Sequence, residues 1–166
     1  MAELLVVRHA QASFGTDNYD RLSELGHQQS AMAGAALRDM GWIPDRLVTG
    51  SLKRQKETVA SMGYDAIPEE HSGFNEYDFD DLLRVKFGGT SPDLVRGDRK
   101  THFRTLRETL REWQMGGLEG ARETWIDFKA RLVSAQNFAV DTDKQRVWVV
   151  SAGGAIGQLV ANCLNA

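Results

Sequence analysis

Three short apolar runs limit what this chain can become: ELLVV at 3–7, RLVT at 46–49 and RVWVVS at 146–151. Each is partly β-branched, too short for a helix, and gives way to a segment of helical period, so each reads as a buried strand that precedes a helix. Strands separated by helices do not close as hairpins. They form a mostly parallel sheet with helices on both faces, a three-layer α/β/α architecture. The first helix is predicted from Ser23 to Met40, with Ser23 as its cap, Gly41 as its stop and its alanines as a close-packing face. A second begins near Ser51 in SLKRQKETVASM, and a last one follows Gly153 and Gly154. Between Asp80 and Asp141 the pattern is mainly helical. There Phe103, Leu106, Leu110 and Trp113 form one stripe and Trp125, Phe128, Leu132 and Ala135 another, and these aromatic rings read as core. No linker, repeat or low-complexity tract interrupts the 166 residues, so residues 1–166 read as one domain with a helical insert at about 80–140.

Composition removes several classes of function. A formal charge of −3, from 20 basic residues spread along the chain against 23 acidic ones, leaves no footprint for nucleic acid or an acidic membrane surface. The single cysteine, Cys163, excludes an internal disulfide framework and a thiolate cluster for zinc, which fits a reducing cytoplasm. MAELLVV has no basic leader, and its apolar run is too short for export or a membrane span. The expectation is a cytoplasmic protein.

In a parallel sheet, ligands bind beyond the carboxyl ends of the strands. Three loops of this chain share that address. VVRHAQ brings Arg8 and His9, the loop after RLVT brings Ser51 and Arg54, and the loop after RVWVVS brings Ala152, Gly153 and Gly154 at the start of a helix. Two guanidiniums and a helix N-terminus aimed at one point suit a phosphoryl group, because the planar fork of arginine pairs with two phosphate oxygens at once. Nearby positive charge disfavours imidazolium, so His9 is expected to stay neutral and keep a lone pair that can attack phosphorus. The arginines then stabilise charge on the equatorial oxygens, and water releases phosphate. Gln11 and Ser13 follow the histidine and either donate hydrogen bonds to the phosphoryl group or shape the turn.

The order of VVRHAQ, LSELGHQQ, SLKRQKET, FNEYDFDDL and VVSAGGAI resembles the histidine phosphatase superfamily in its phosphoglycerate-mutase-like branch, from about residue 3 to residue 160 and most diffusely between 90 and 140. The resemblance implies the phosphoglycerate-mutase-like fold and a metal-independent phosphomonoester hydrolase that needs no cofactor and takes a small phosphorylated substrate. By the same likeness His9 is the phosphorylated nucleophile, Arg8 and Arg54 are phosphate clamps, and Glu76 in FNEYDF matches the position of the proton donor. Chemistry asks for such a donor, since an alkoxide leaves poorly unless it is protonated as the P–O bond breaks. Glu76 also reads as a solvated loop carboxylate. Asp78, Asp80 and Asp81 lack calcium-loop spacing and precede LLRV, where carboxylates favour a helix N-terminus, so they read as helix-starting residues and not as metal ligands. His27 and His102 read as structural, and His71 as a surface histidine ahead of the Glu76 loop.

Two departures from the family pattern stand out. Where the likeness places a second histidine, as in VVSHGG, this chain has VVSAGG, and Ala152 offers only a methyl group. Losing a charge-assisted donor in a polar pocket lowers the rate on the order of a hundredfold. The expectation is therefore a weakened phosphatase, or one in which another group fills the gap. The second departure is at the end of the chain, where a domain of this kind commonly returns for a further strand after the helix of GGAIGQLVANCLNA. Either the sequence stops short of that strand at its C-terminal end, or the strand is absent and one sheet edge is open to association. A phosphotransferase of the mutase type and a noncatalytic phosphate-ester binding protein use the same residues and remain as alternatives. No motif names the substrate or an oligomeric state.

Overall fold

The computed structural model describes residues 2–13, 20–90 and 98–164. Four strands, β1 (Glu3–Arg8), β2 (Arg46–Thr49), β3 (Glu69–Glu70) and β4 (Arg146–Ser151), form one sheet in the order β1-β4-β2-β3 with every neighbouring pair parallel. The three apolar runs are three of these strands. The fourth, β3, is two glutamates with no apolar signal, paired with Val48 and Thr49 of β2 and tied by ion pairs from Glu69 to Arg46 (2.7 Å) and from Glu70 to Lys56 (3.4 Å). Six helices lie among the described residues: α1 (Glu24–Asp39), α2 (Lys53–Ser61), α3 (Phe79–Lys86), α4 (Arg99–Gln114), α5 (Trp125–Val140) and α6 (Gly153–Leu164). None is long and apolar enough to cross a membrane.

The register sets the carboxyl ends of three strands level. Arg8 pairs with Ser151 and Thr49 with Val150. Two hydrogen bonds continue the ladders one residue further, from the His9 amide to the Ser151 carbonyl (2.9 Å) and from the Gly50 amide to the Val150 carbonyl (3.1 Å). His9 thus leaves the sheet beside Ala152, where the sequence pattern placed it.

Strand β4 is central, and its Val147, Trp148, Val149 and Val150 are buried. Strand β1 is only half-buried, although its apolar run suggested a fully buried strand, because among the described residues it lies at the sheet edge and pairs with β4 alone. Leu47, Trp148 and Val150 face one side, where Ala33 and Leu37 of α1 and Val59 and Met62 at the end of α2 pack on them. Each such side chain contributes roughly 1.5–3 kcal/mol by leaving water. The pleat turns Val48, Val147 and Val149 to the opposite face.

Helix α1 starts and stops as its sequence indicates: Ser23 Oγ accepts from the Gly26 amide (3.0 Å), and Gly41 follows in the left-handed region at φ 70°. Its close-packing face differs from the alanines expected. The inward positions are Gly26, Ser30 and Gly34, and a Cβ at Gly34 would collide with the Met62 carbonyl. Missing Cβ atoms, rather than methyl groups, let α1 approach the end of α2.

The chain divides into two units, Met1–Glu76 with Arg131–Ala166, and Tyr77–Ala130. Helix α5 begins in the second and ends in the first. The helical insert expected at about 80–140 includes residues 91–97, which lie outside the described residues, as do 165–166 at the end of the last predicted helix. Within the second unit, Tyr77, Trp113, Trp125 and Phe128 form an aromatic cluster with ring centroids 5.1 to 5.8 Å apart. The stripe expected on α4 is rotated, since Thr105, Thr109 and Trp113 are the buried positions and Phe103 is exposed under the Arg99 guanidinium. Asp78 caps α3 by accepting from the Asp81 amide (3.0 Å), and the buried Asp81 pairs with Arg84 (2.7 Å).

Candidate active site

His9 follows directly on β1 and is 9% exposed. Its Nδ1 lies 2.8 Å from the carbonyl of Ala10, and its Nε2 lies 3.3 Å from Nε of Arg54. A carbonyl can only accept and a guanidinium N–H can only donate, so the proton sits on Nδ1 and the lone pair on Nε2. Burial, assisted by the charges of Arg54 and Arg8, lowers the imidazole pKa from 6.5 to about 4, against the opposing pull of the Ala10 hydrogen bond and Asp20. The ring is neutral at physiological pH and carries its lone pair toward a guanidinium.

Arg54 is buried in the first turn of α2, where a positive charge opposes the helix dipole. Asp20 answers this. One carboxylate oxygen accepts from Arg54 Nη1 (2.8 Å) and the other from the Lys53 amide (3.0 Å), so a residue far from the helix supplies the acceptor that its own N-cap, Leu52, lacks. Gln55 Oε1 accepts from the Leu52 amide (3.1 Å). Thr58 joins the same helix to the turn after β1, since its hydroxyl accepts from the Ala10 amide (3.1 Å) and donates to the Arg54 carbonyl (2.8 Å).

The other side of the site is the start of α6. Ala152 is fully buried, and Arg8 lies so close to the next residue that a Cβ on Gly153 would sit 3.5 Å from Arg8 Nε. The Gly154 amide donates to Oε2 of Glu76 (2.7 Å), so Glu76 is held on the helix N-terminus. The bond sets the carboxylate on a backbone donor, and Glu76 belongs to the first unit, as do His9, Arg8 and Arg54. The loop carrying it is unusually well tied. Gln55 Nε2 and Ser151 Oγ both donate to the Phe74 carbonyl (2.9 and 2.8 Å), Asn75 Oδ1 accepts from the Ser51 amide (2.8 Å), and Arg131 Nη1 donates to the carbonyls of Gly73 (2.9 Å) and Asn75 (2.8 Å).

Gln11 and Ser13 are tied into the turn after His9: Gln11 Oε1 accepts from Ser23 Oγ (2.7 Å), and Ser13 Oγ donates to the Leu22 carbonyl (3.0 Å). His71 Nδ1 accepts from the Gly73 amide (3.1 Å) and packs on Phe138. His27 is exposed and bonded to Ser61 Oγ (2.8 Å). Asp20, Thr58, Gln55 and Arg131 were not singled out from sequence. Asp20 carried a faint signal, as a carboxylate just ahead of LSELG, but nothing in the chain order links it to a helix that starts 33 residues later. The assembled site presents a neutral imidazole lone pair, two guanidiniums, a helix N-terminus and a carboxylate, a set suited to an oxyanion undergoing attack at its centre.

A family model described as the histidine phosphatase superfamily, branch 1, matches residues 4–166. A 2,3-bisphosphoglycerate-dependent phosphoglycerate mutase from Chelativorans sp. (strain BNC1) is 34% identical over 114 residues, covering 60% of this chain and 53% of that protein, so the likeness spans about half the relative's length. Among solved structures, mycobacterial glucosyl-3-phosphoglycerate phosphatase in complex with VO3 matches 98% of this chain and 81% of its own at a TM-score of 0.67 and 23% identity. The alpha-ribazole phosphatase of Shigella flexneri matches 96% and 78% at 0.66 and 18% identity. Phosphoserine phosphatase from Entamoeba histolytica, in complex with 3-phosphoglyceric acid, matches 99% and 81% at 0.66 and 16% identity. At these identities the likeness is one of fold.

Proposed function

Because the chain belongs to the histidine phosphatase superfamily, branch 1, we propose that it hydrolyses small phosphomonoesters through a phosphohistidine on His9, with no metal ion in the cycle. Nε2 of His9 attacks phosphorus with its lone pair while the ester P–O bond breaks in line. Glu76, protonated, gives its proton to the departing oxygen, and the alcohol leaves. Water then attacks the phosphohistidine, passing a proton to the Glu76 carboxylate as the N–P bond breaks, and orthophosphate is released. Arg8 and Arg54 neutralise the equatorial oxygens in both steps, with the amide of Gly153 completing the cradle, and Gln11 and Ser13 shape the rim of the turn beside it.

The observation that carries this reading is the commitment of His9: Nδ1 is spent on the Ala10 carbonyl and Nε2 faces Arg54. That tautomer leaves the nucleophilic lone pair on the nitrogen nearest the guanidinium that would clamp the phosphoryl oxygens. Ala152 leaves the phosphoryl group one donor short of the family pattern, so turnover is slow. The test is phosphate release from a panel of phosphomonoesters in the presence of a chelator, beside His9→Ala. Release that persists under chelation and vanishes in the variant is the expected result. Release that is equal in both proteins, or that stops on chelation, refutes the proposal.

The mutase relative favours a second reading, in which the phosphoryl group on His9 returns to the product and not to water. Transfer to an added phosphoglycerate that outpaces hydrolysis would establish it.

A further inference from the structure

Glu76 lies on a loop, and a loop residue placed an ångström wrong forfeits much of its value as an acid. One side chain from α5 binds most of the loop's carbonyls. Arg131 Nη1 donates to the carbonyls of Gly73 (2.9 Å) and Asn75 (2.8 Å), and Nη2 reaches the carbonyl of Glu76 itself (3.4 Å). The helix backbone closes on the same turn, since a Cβ on Gly73 would stand 2.6 Å from the Arg131 carbonyl and 2.7 Å from Ala135 Cβ. The intervening Phe74 carbonyl is taken by Gln55 and Ser151. Four successive carbonyls, 73 to 76, are therefore bound by side chains, three of them by a single guanidinium. At its other end, the Glu76 carboxylate rests on the Gly154 amide.

We infer that Arg131 is a positioning residue for proton transfer: its fork fixes the main chain of residues 73–76 so that the Glu76 carboxyl meets the leaving oxygen. The inference rests on the reading of Glu76 as proton donor. It requires the two-nitrogen fork of arginine, because a single ammonium in the place of Nη1 could meet the Gly73 and Asn75 carbonyls but would leave the Glu76 carbonyl, reached by Nη2, without that donor. In the first half-reaction, which kcat/KM reports, it acts where the leaving group takes a proton, so its signature there is a dependence on the leaving group. An alcohol needs the proton and a nitrophenolate does not.

The experiment compares kcat/KM for glycerol 2-phosphate with kcat/KM for p-nitrophenyl phosphate in the wild-type protein, Arg131→Met, Arg131→Lys and Glu76→Gln, with melting curves for each. The expected result is that the alkyl-to-aryl ratio falls about tenfold or more in Arg131→Met and Glu76→Gln, and that lysine fails to restore it. If both substrates slow equally in a folded Arg131→Met protein, the residue is structural and the inference is overturned. If lysine restores the ratio, charge alone was needed and the positioning role is likewise overturned. Should Arg131→Met fail to fold, the same ratio in Arg131→Lys decides. A Glu76→Gln protein with an unchanged ratio removes the acid assignment itself. A changed ratio there with none at Arg131 removes only this inference.

Discussion

Replacing His9 by glutamine should flatten the acid side of the stability curve. In the unfolded chain His9 takes up a proton as the pH falls through 6.5, whereas the folded ring does so only near 4, because it is buried beside Arg54 and Arg8. Between those values the unfolded state binds the extra proton, so the stability that the neutral ring retains above 6.5 is lost progressively down to about 4. The gap between 6.5 and about 4 corresponds to roughly 3 kcal/mol at full extent. About 2 kcal/mol of it should appear between about pH 7 and about pH 5. His9→Gln cannot titrate at this position, and every other ionisable group is common to both proteins. Urea unfolding at the two pH values should therefore show the wild type losing about 2 kcal/mol more than the variant. If the two proteins lose stability in parallel, His9 titrates like an exposed histidine, and the argument for its neutral, desolvated state is wrong.

Three further outcomes follow from named contacts. Asp20→Ala removes the partner of Arg54 and the acceptor at the start of α2. It should cost about 1 kcal/mol in urea unfolding and about tenfold in kcat, with Asp20→Asn, which keeps an acceptor, recovering most of both. Ala152→His adds a donor beside the α6 N-terminus and should raise kcat at least about tenfold, measured by phosphate release; no gain would mean that another group already fills that place. Gly34→Ala puts a methyl group into the Met62 carbonyl and should lower stability by about 1–3 kcal/mol without changing the pH dependence of turnover.

The fold was legible wherever one residue type reported one environment. β2 and β4 are short β-branched runs buried in the sheet, and their carboxyl ends predicted the location of Arg54 and Ala152. β1 was found but misjudged in burial, since an apolar run does not say whether a strand has one neighbour or two. β3 was invisible, because its two glutamates acquire a strand's conformation only from pairing with β2. Glycines 26 and 34 were passed over in favour of the alanines of α1, and their purpose appears only against the carbonyls they approach. The site followed the same division. His9, Arg8, Arg54 and Glu76 stand in motifs with chemistry of their own. Asp20 and Arg131 act through backbone groups distant in sequence, and a charged side chain that binds carbonyls leaves no pattern in the chain order.

The central claim is that phosphorus becomes bonded to Nε2 of His9. Protein quenched in alkali during turnover of p-nitrophenyl phosphate, digested and examined by mass spectrometry tests it directly. The account predicts a phosphoryl adduct on the peptide containing His9, stable in base, lost in acid and absent from His9→Ala. A phosphoryl group found on any other residue, or steady turnover by His9→Ala, would contradict it.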